Sequence, residues 1–183
     1  TTEATFSVTV FNGLGCSDQS RDVPVDVLPN PQPSITDTGG ITACKGDTLG
    51  LKTDSSYSSY NWSSGDTTRT ASITQSGSYN VTVTDSNGCS GTSGNQSLTF
   101  FNNPSPVVKT VGDTSFCKGD SARIFTDSTY VSYQWSNGDT TQFTFNSGKK
   151  SPTVKVTDSN GCTGVSSSQA FTLFNLPNPA ITT

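Results

Sequence analysis

The sequence predicts an all-β chain of tandem, two-layer β-sandwich repeats joined head to tail as a rod. Three observations carry that prediction: composition, a 73-residue period, and period-two alternation inside each period. Ser and Thr supply 59 of the 183 residues, with 17 Gly and 9 Pro. Thr, Val, Phe and Tyr suit a pleated, half-buried surface, whereas Gly, Asn, Asp and Ser suit the turns between strands. Helix formers are scarce, with one glutamate (Glu3) and no Met.

The period is the strongest signal. Cys16, Cys89 and Cys162 are 73 residues apart, as are Cys44 and Cys117, and Trp62 and Trp135. Val8, Val81 and Val154 obey the same spacing, and so do Pro31, Pro104 and Pro177. Chance does not hold one offset across such different residue types. The chain therefore divides into the C-terminal half of a repeat (1–31), two complete copies (32–104 and 105–177) and the start of another (178–183). Each boundary is Pro-rich, as in Pro29-Asn30-Pro31-Gln32-Pro33. Alternate prolines hold such a linker extended and semi-rigid. Because Thr1 opens directly on strand-like sequence, the chain reads as an internal piece of something longer.

The elements follow in order within a copy. Leu49 and Leu51 point one way, replaced by Ala122 and Ile124 in the second copy. Tyr60 and Trp62 share a face, as do Tyr133 and Trp135; Tyr79, Val81 and Val83 point inward; Leu98 with Phe100, and Phe171 with Leu173, form the last strand. Lys45-Gly46-Asp47, Ser64-Gly65-Asp66 and Ser86-Asn87-Gly88 mark turns. Short strands with turns every 8–12 residues describe an Ig-like sandwich. One departure is expected: two residues deleted after Trp135 and regained at Gly148-Lys149-Lys150, with Pro152 where Tyr79 stood.

Charge and residue types exclude several function classes. Net charge is −4 and the ten Lys and Arg are scattered, which is not a nucleic-acid footprint. No run of 18 apolar residues exists to insert in a membrane as a helix. With no His, neither a Ser-His-Asp nor a Cys-His arrangement can be built. The acidic residues fall in repeated turns, where Asp caps backbone amides, so no enzyme and no cofactor are expected.

The runs Cys44–Leu49, Tyr60–Thr68 and Ser76–Cys89, repeated at Cys117–Asp120, Tyr133–Thr141 and Val154–Cys162, carry a family resemblance. They resemble the Ig-like and PKD-like repeats of giant Bacteroidetes surface proteins, including gliding-motility adhesins. The resemblance covers nearly the whole chain. It implies export by the type IX secretion route and display at the cell surface, attached to the outer membrane, as a filament or adhesin. Implied partners are neighbouring repeats, other copies of the filament, surface polysaccharide or an anchoring and motility complex.

Five Cys without His in a secreted context favour disulfides over metal sites. Pairing within copies, Cys44–Cys89 and Cys117–Cys162, closes loops of about 46 residues, worth roughly 4 kcal/mol each. Topology objects: in an Ig-type sandwich the Lys45-Gly46-Asp47 and Asn87-Gly88 turns sit at opposite ends, about 20–25 Å apart, beyond disulfide reach. Head-to-tail stacking instead brings Cys44 to Cys162. This second pairing is favoured, and a sulfur distance of about 2 Å between Cys44 and Cys89 excludes it. In either scheme the partner of Cys16 lies outside the chain.

Other candidates have plainer readings. Asp85, Asn87, Asp158 and Asn160 resemble the start of a calcium loop, but later acidic ligands are missing and Asn-Gly is a turn signal. Trp62 and Trp135 could stack on sugars if exposed, yet their spacing places them in the core. Phe101 and Phe174 read as padding between repeats. Thr48 and Ser121 lie in sequences that resemble the Bacteroidetes O-glycosylation motif, and Thr67 and Thr140 are looser matches. Two functions compete. One is a structural or adhesive stalk. The other is a carbohydrate-binding or targeting array of a secreted polysaccharide-degrading enzyme, which needs exposed aromatics in a row.

Overall fold

A computed structural model describes residues 3–148 and 151–179. Lys149, Lys150 and residues 180–183 of the expected fourth copy lie outside the described residues. Every regular element among the described residues is a strand. The first half-copy holds β1 (Ala4–Phe6), β2 (Thr9–Phe11), β3 (Ser17–Gln19) and β4 (Val23–Val25), with β1 antiparallel to β4 and β2 to β3. Its apolar side chains stay in water: Val8 and Val10 are 62% and 60% exposed, whereas their counterparts Val81 and Val83 are fully buried. Among the described residues, none of its strands covers that face.

The first complete copy contains β5 (Ile35–Asp37), β6 (Thr42–Cys44), β7 (Leu49–Thr53), β8 (Ser59–Trp62) and β9 (Thr70–Ile73). It continues with β10 (Gly77–Tyr79), β11 (Val81–Thr84), β12 (Ser90–Thr92) and β13 (Gln96–Phe101). One sheet is ordered β5-β7-β9 and another β12-β11-β8, and β10 pairs with the start of β13. Alternation works as predicted. Leu49, Leu51, Ala71, Ile73, Val81, Val83 and Leu98 are buried while the residues between them are not, and each large apolar side chain contributes about 1.5–3 kcal/mol. Trp62 is buried and its Nε1 donates to the Thr68 carbonyl at 2.8 Å.

The second complete copy repeats these elements as β14 (Val108–Val111), β15 (Ser115–Cys117), β16 (Ala122–Thr126), β17 (Ser132–Trp135) and β18 (Phe143–Asn146). It ends with β19 (Val154–Thr157), β20 (Thr163–Val165) and β21 (Thr172–Phe174). Val108, Ile124, Trp135, Val154, Val156 and Phe171 form one core cluster drawn from both sheets, as the Ig-like sandwich requires. β15 runs parallel to β21, as β6 runs parallel to the end of β13.

The expected two-residue deletion after Trp135 is not found. β18 keeps the offset of β9, and Ala122 faces Asn146 as Leu49 faces Ile73. The sequence misleads here because the alternation is inverted: Thr144 and Asn146 are buried while Phe143 and Phe145 are 43% and 55% exposed. A one-residue slip would turn every side chain of the strand over, and the observed register is the one in which the buried polar side chain of Thr144 finds partners. Asn137 Nδ2 donates to Thr144 Oγ1 at 2.8 Å, and the Thr144 hydroxyl donates to the Asp139 carboxylate. Pro152 stands at the entry to the next strand, whose register is kept: Val154 faces Trp135 as Val81 faces Trp62. The proline is buried and has no N–H to offer a ladder, while its carbonyl accepts from the Gln169 amide at 3.5 Å.

The chain forms two compact units whose division does not coincide with the linkers. One comprises residues up to Gly40, Leu49–Ile73 and Gly77–Leu98; the other comprises Ile41–Thr48, Thr74–Ser76 and Thr99 onward. The second unit thus includes β6 and the end of β13, paired with each other, together with the whole second copy.

Candidate functional site

Two local structures meet within the second unit. At the first, β6 delivers Cys44 into the Lys45-Gly46-Asp47 turn. The Asp47 amide donates to the Cys44 carbonyl at 3.0 Å and the Cys44 amide to the Asp47 carboxylate at 3.2 Å. The Lys45 amide donates to the Phe101 carbonyl at 2.8 Å, tying the turn to the strand before the linker. At the second, Asp158 Oδ1 accepts from the amides of Asn160 and Cys162, both at 2.9 Å. Gly161 holds a φ of 82° there, where a side chain would be strained. Cys44 and Cys162 are bonded, with S–S 1.99 Å, Cα atoms 5.5 Å apart and a sequence separation of 118.

The structure therefore joins residues of successive copies. Pairing within copies, Cys44–Cys89 and Cys117–Cys162, does not form: Cys44 and Cys162 have each used their single valence, and Cys16, Cys89 and Cys117 are free thiols.

Of the calcium candidates, Asp85 and Asp158 are turn acceptors and Asn87 and Asn160 donate to them through their backbone amides. Asp85 Oδ1 accepts from the amides of Asn87 and Cys89 at 2.8 and 2.9 Å, matching Asp158. In the half-copy the uncharged Asn12 does the same work, accepting from Leu14 and Cys16 at 3.0 Å each. The loop thus needs an acceptor and not a charge. Among the described residues, no three His, Cys, Asp or Glu side chains converge as a metal site. Asp54 is likewise structural. Burial works against its charge, but the backbone and hydroxyl of Ser34 and the Ser55 amide outweigh it and hold the carboxyl below its ordinary value.

Thr48, Ser121, Thr67 and Thr140 are all exposed. Trp135, like Trp62, is buried and donates from Nε1 to a backbone carbonyl, that of Thr141 at 2.8 Å. Tyr57 and Tyr130 are half-buried, edge-on to Tyr60 and Tyr133, so they form no exposed row with the tryptophans. Phe101 is half-buried and Phe174 exposed.

One surface was missed by the sequence reading. Cross-strand register aligns Val111 with Arg123, Arg123 with Phe145, and Phe125 with Phe143 on the outer face of the β14-β16-β18 sheet. Arg123 lies 4.5 Å over the Phe143 ring, and Val111, Arg123, Phe125, Gln142 and Phe143 line a shallow groove. The corresponding residues of the first copy (Thr38, Gly50, Lys52, Thr70 and Ser72) include no aromatic. The signal was there: Phe143 and Phe145 stand at positions that the period assigns outward.

No family profile matches the sequence, and no curated protein matches it. Among solved structures, murine CEACAM1b is 10% identical, matching 78% of this chain and 99% of its own at a TM-score of 0.35. Fibronectin(III)-like modules of Clostridium thermocellum CbhA are 11% identical over 76% of this chain and 94% of theirs, at 0.35. SGBP-B of the Bacteroides ovatus mixed-linkage glucan utilization locus, solved with a mixed-linkage heptasaccharide, is 13% identical over 95% of this chain and 53% of its own, at 0.26.

Proposed function

We propose that this chain is a tension-bearing stalk segment of a long, secreted, adhesive cell-surface repeat protein of the gliding-adhesin kind, and not an enzyme. The observation that carries the reading is the Cys44–Cys162 bond, which ties one copy covalently to the next in addition to the linker. A disulfide persists in an oxidising, extracellular setting. The tryptophans are buried and the turn carboxylates of Asp85 and Asp158 are taken up by backbone amides, and a chain rich in Ser and Thr suits a spacer whose useful property is length.

Single-molecule pulling of the intact chain tests this. In the oxidised chain residues 44–162 stay unextended, and reductant then releases up to about 400 Å of contour at roughly 3.4 Å per residue. An oxidised chain that reaches full contour length at the forces that extend the C44S variant overturns the proposal.

A second reading, a carbohydrate-binding array, is favoured by one observation: Phe143, Phe145 and Arg123 share one outer sheet face. Retention in gels containing polysaccharide, lost in F143A/F145A, supports it; equal mobility in every gel removes it.

A further inference from the structure

The five cysteines occupy two positions of the repeat. Cys44 and Cys117 stand at strand ends, before Lys-Gly-Asp turns; Cys16, Cys89 and Cys162 close the Asx turns. The bond present joins one of each kind. Around the free thiols the backbone duplicates that around the bonded ones. The Asp120 amide donates to the Cys117 carbonyl at 3.0 Å and Lys118 to Phe174 at 2.8 Å, the values found at Cys44. At the turns, Asp85 donates to the Cys89 carbonyl at 3.0 Å and Asn12 to that of Cys16 at 2.9 Å, against 2.9 Å for Asp158 and Cys162. Cys16 and Cys117 are exposed and Cys89 half-buried, whereas bonded Cys162 is buried.

We infer that each free thiol is half of the same bond, its partner a further copy of this repeat, under one rule: a strand-end sulfur joins a turn sulfur. Cys117 takes a turn cysteine; Cys16 and Cys89 each take a strand-end cysteine. Along an array, such bonds form a ladder of staples between successive copies. This deepens the stalk reading and rests on it for its purpose, while the pairing rule stands on the bond already formed.

The chemistry needs an oxidant, and a small-molecule disulfide such as oxidised glutathione supplies it. The Cys117 thiolate attacks one glutathione sulfur, the glutathione S–S bond breaks, and one glutathione thiolate leaves with a mixed disulfide formed. The turn-cysteine thiolate of the other copy then attacks the Cys117 sulfur and expels the second glutathione. Two protein thiols are oxidised, one glutathione disulfide is reduced, and the two departing thiolates take up the two protons.

The test oxidises the full chain at high concentration with oxidised glutathione, blocks remaining thiols, and maps linkages by non-reducing electrophoresis and mass spectrometry of linked peptides. The expected product is a series of oligomers in which Cys117 of one molecule joins Cys16 or Cys89 of another, with Cys44–Cys162 intact in each. C117S, left with turn thiols only, stays monomeric. Cys117–Cys117 links, links between two turn cysteines, oligomers from C117S as abundant as from the parent, or no oligomers at all overturn the inference. Connectivity is read here and strength in the pulling experiment, so the two fail separately.

Discussion

A valine at one repeat position has two fates in this molecule. Val83 and Val156 are buried to 0% and 1% exposure, and Val10, their counterpart, is 60% exposed. Val83→Ala is expected to cost about 1.5–3 kcal/mol through lost burial and a cavity, while Val10→Ala stays within about 0.5 kcal/mol. Urea midpoints followed by tryptophan emission measure both. The Asx turn supplies a second contrast. Asp158→Ala orphans two amides and is expected to cost about 1.5–3 kcal/mol, whereas Asp158→Asn keeps an acceptor, as Asn12 does, and stays within about 0.5 kcal/mol. Calcium raising the midpoint of the parent but not of D158N would defeat the turn reading.

Strands and turns were largely legible in the sequence, because their chemistry is local. The inward-facing pairs Leu49 and Leu51, Val81 and Val83, and the turns between them follow directly from period two and turn residues. What was not legible is how a linker meets its copy. A Cβ on Gly164 would lie 1.7 Å from the Pro104 carbonyl oxygen, and one on Gly91 1.8 Å from that of Pro31, both backbone atoms. Both glycines look like ordinary turn-side residues in the sequence, yet they admit the linker against the sheet. Gly164→Ala is expected to cost about 1–3 kcal/mol by overpacking, read as a lowered midpoint in the second copy through Trp135. β18 failed for a different reason: hydrogen bonds by Asn137 and Asp139 make a polar interior position affordable, which no apolar pattern announces.

For the molecule as a whole, the disulfide closes a separation of 118 residues. The chain-entropy account assigns such a loop about 4–5 kcal/mol. Breaking the bond with C44S is expected to lower the unfolding free energy by up to that amount, measured by urea titration of oxidised parent and variant. Equal midpoints would mean that the unfolded chain gains no freedom from losing the bond. The tension-bearing proposal concerns this same long closure, since a short loop would shield little of the chain from extension.

Composition, the 73-residue period and strand alternation already determined that the chain is all-β and most of the apolar residues that the two complete copies bury, because alternation within a strand is local. The length of a strand also weighed against one of the two cysteine pairing schemes. Only the folded chain formed one of those schemes, set Arg123 over the Phe143 ring, and placed Pro104 against Gly164. Each of these depends on where distant segments meet in space, and the period of a sequence carries no record of that distance.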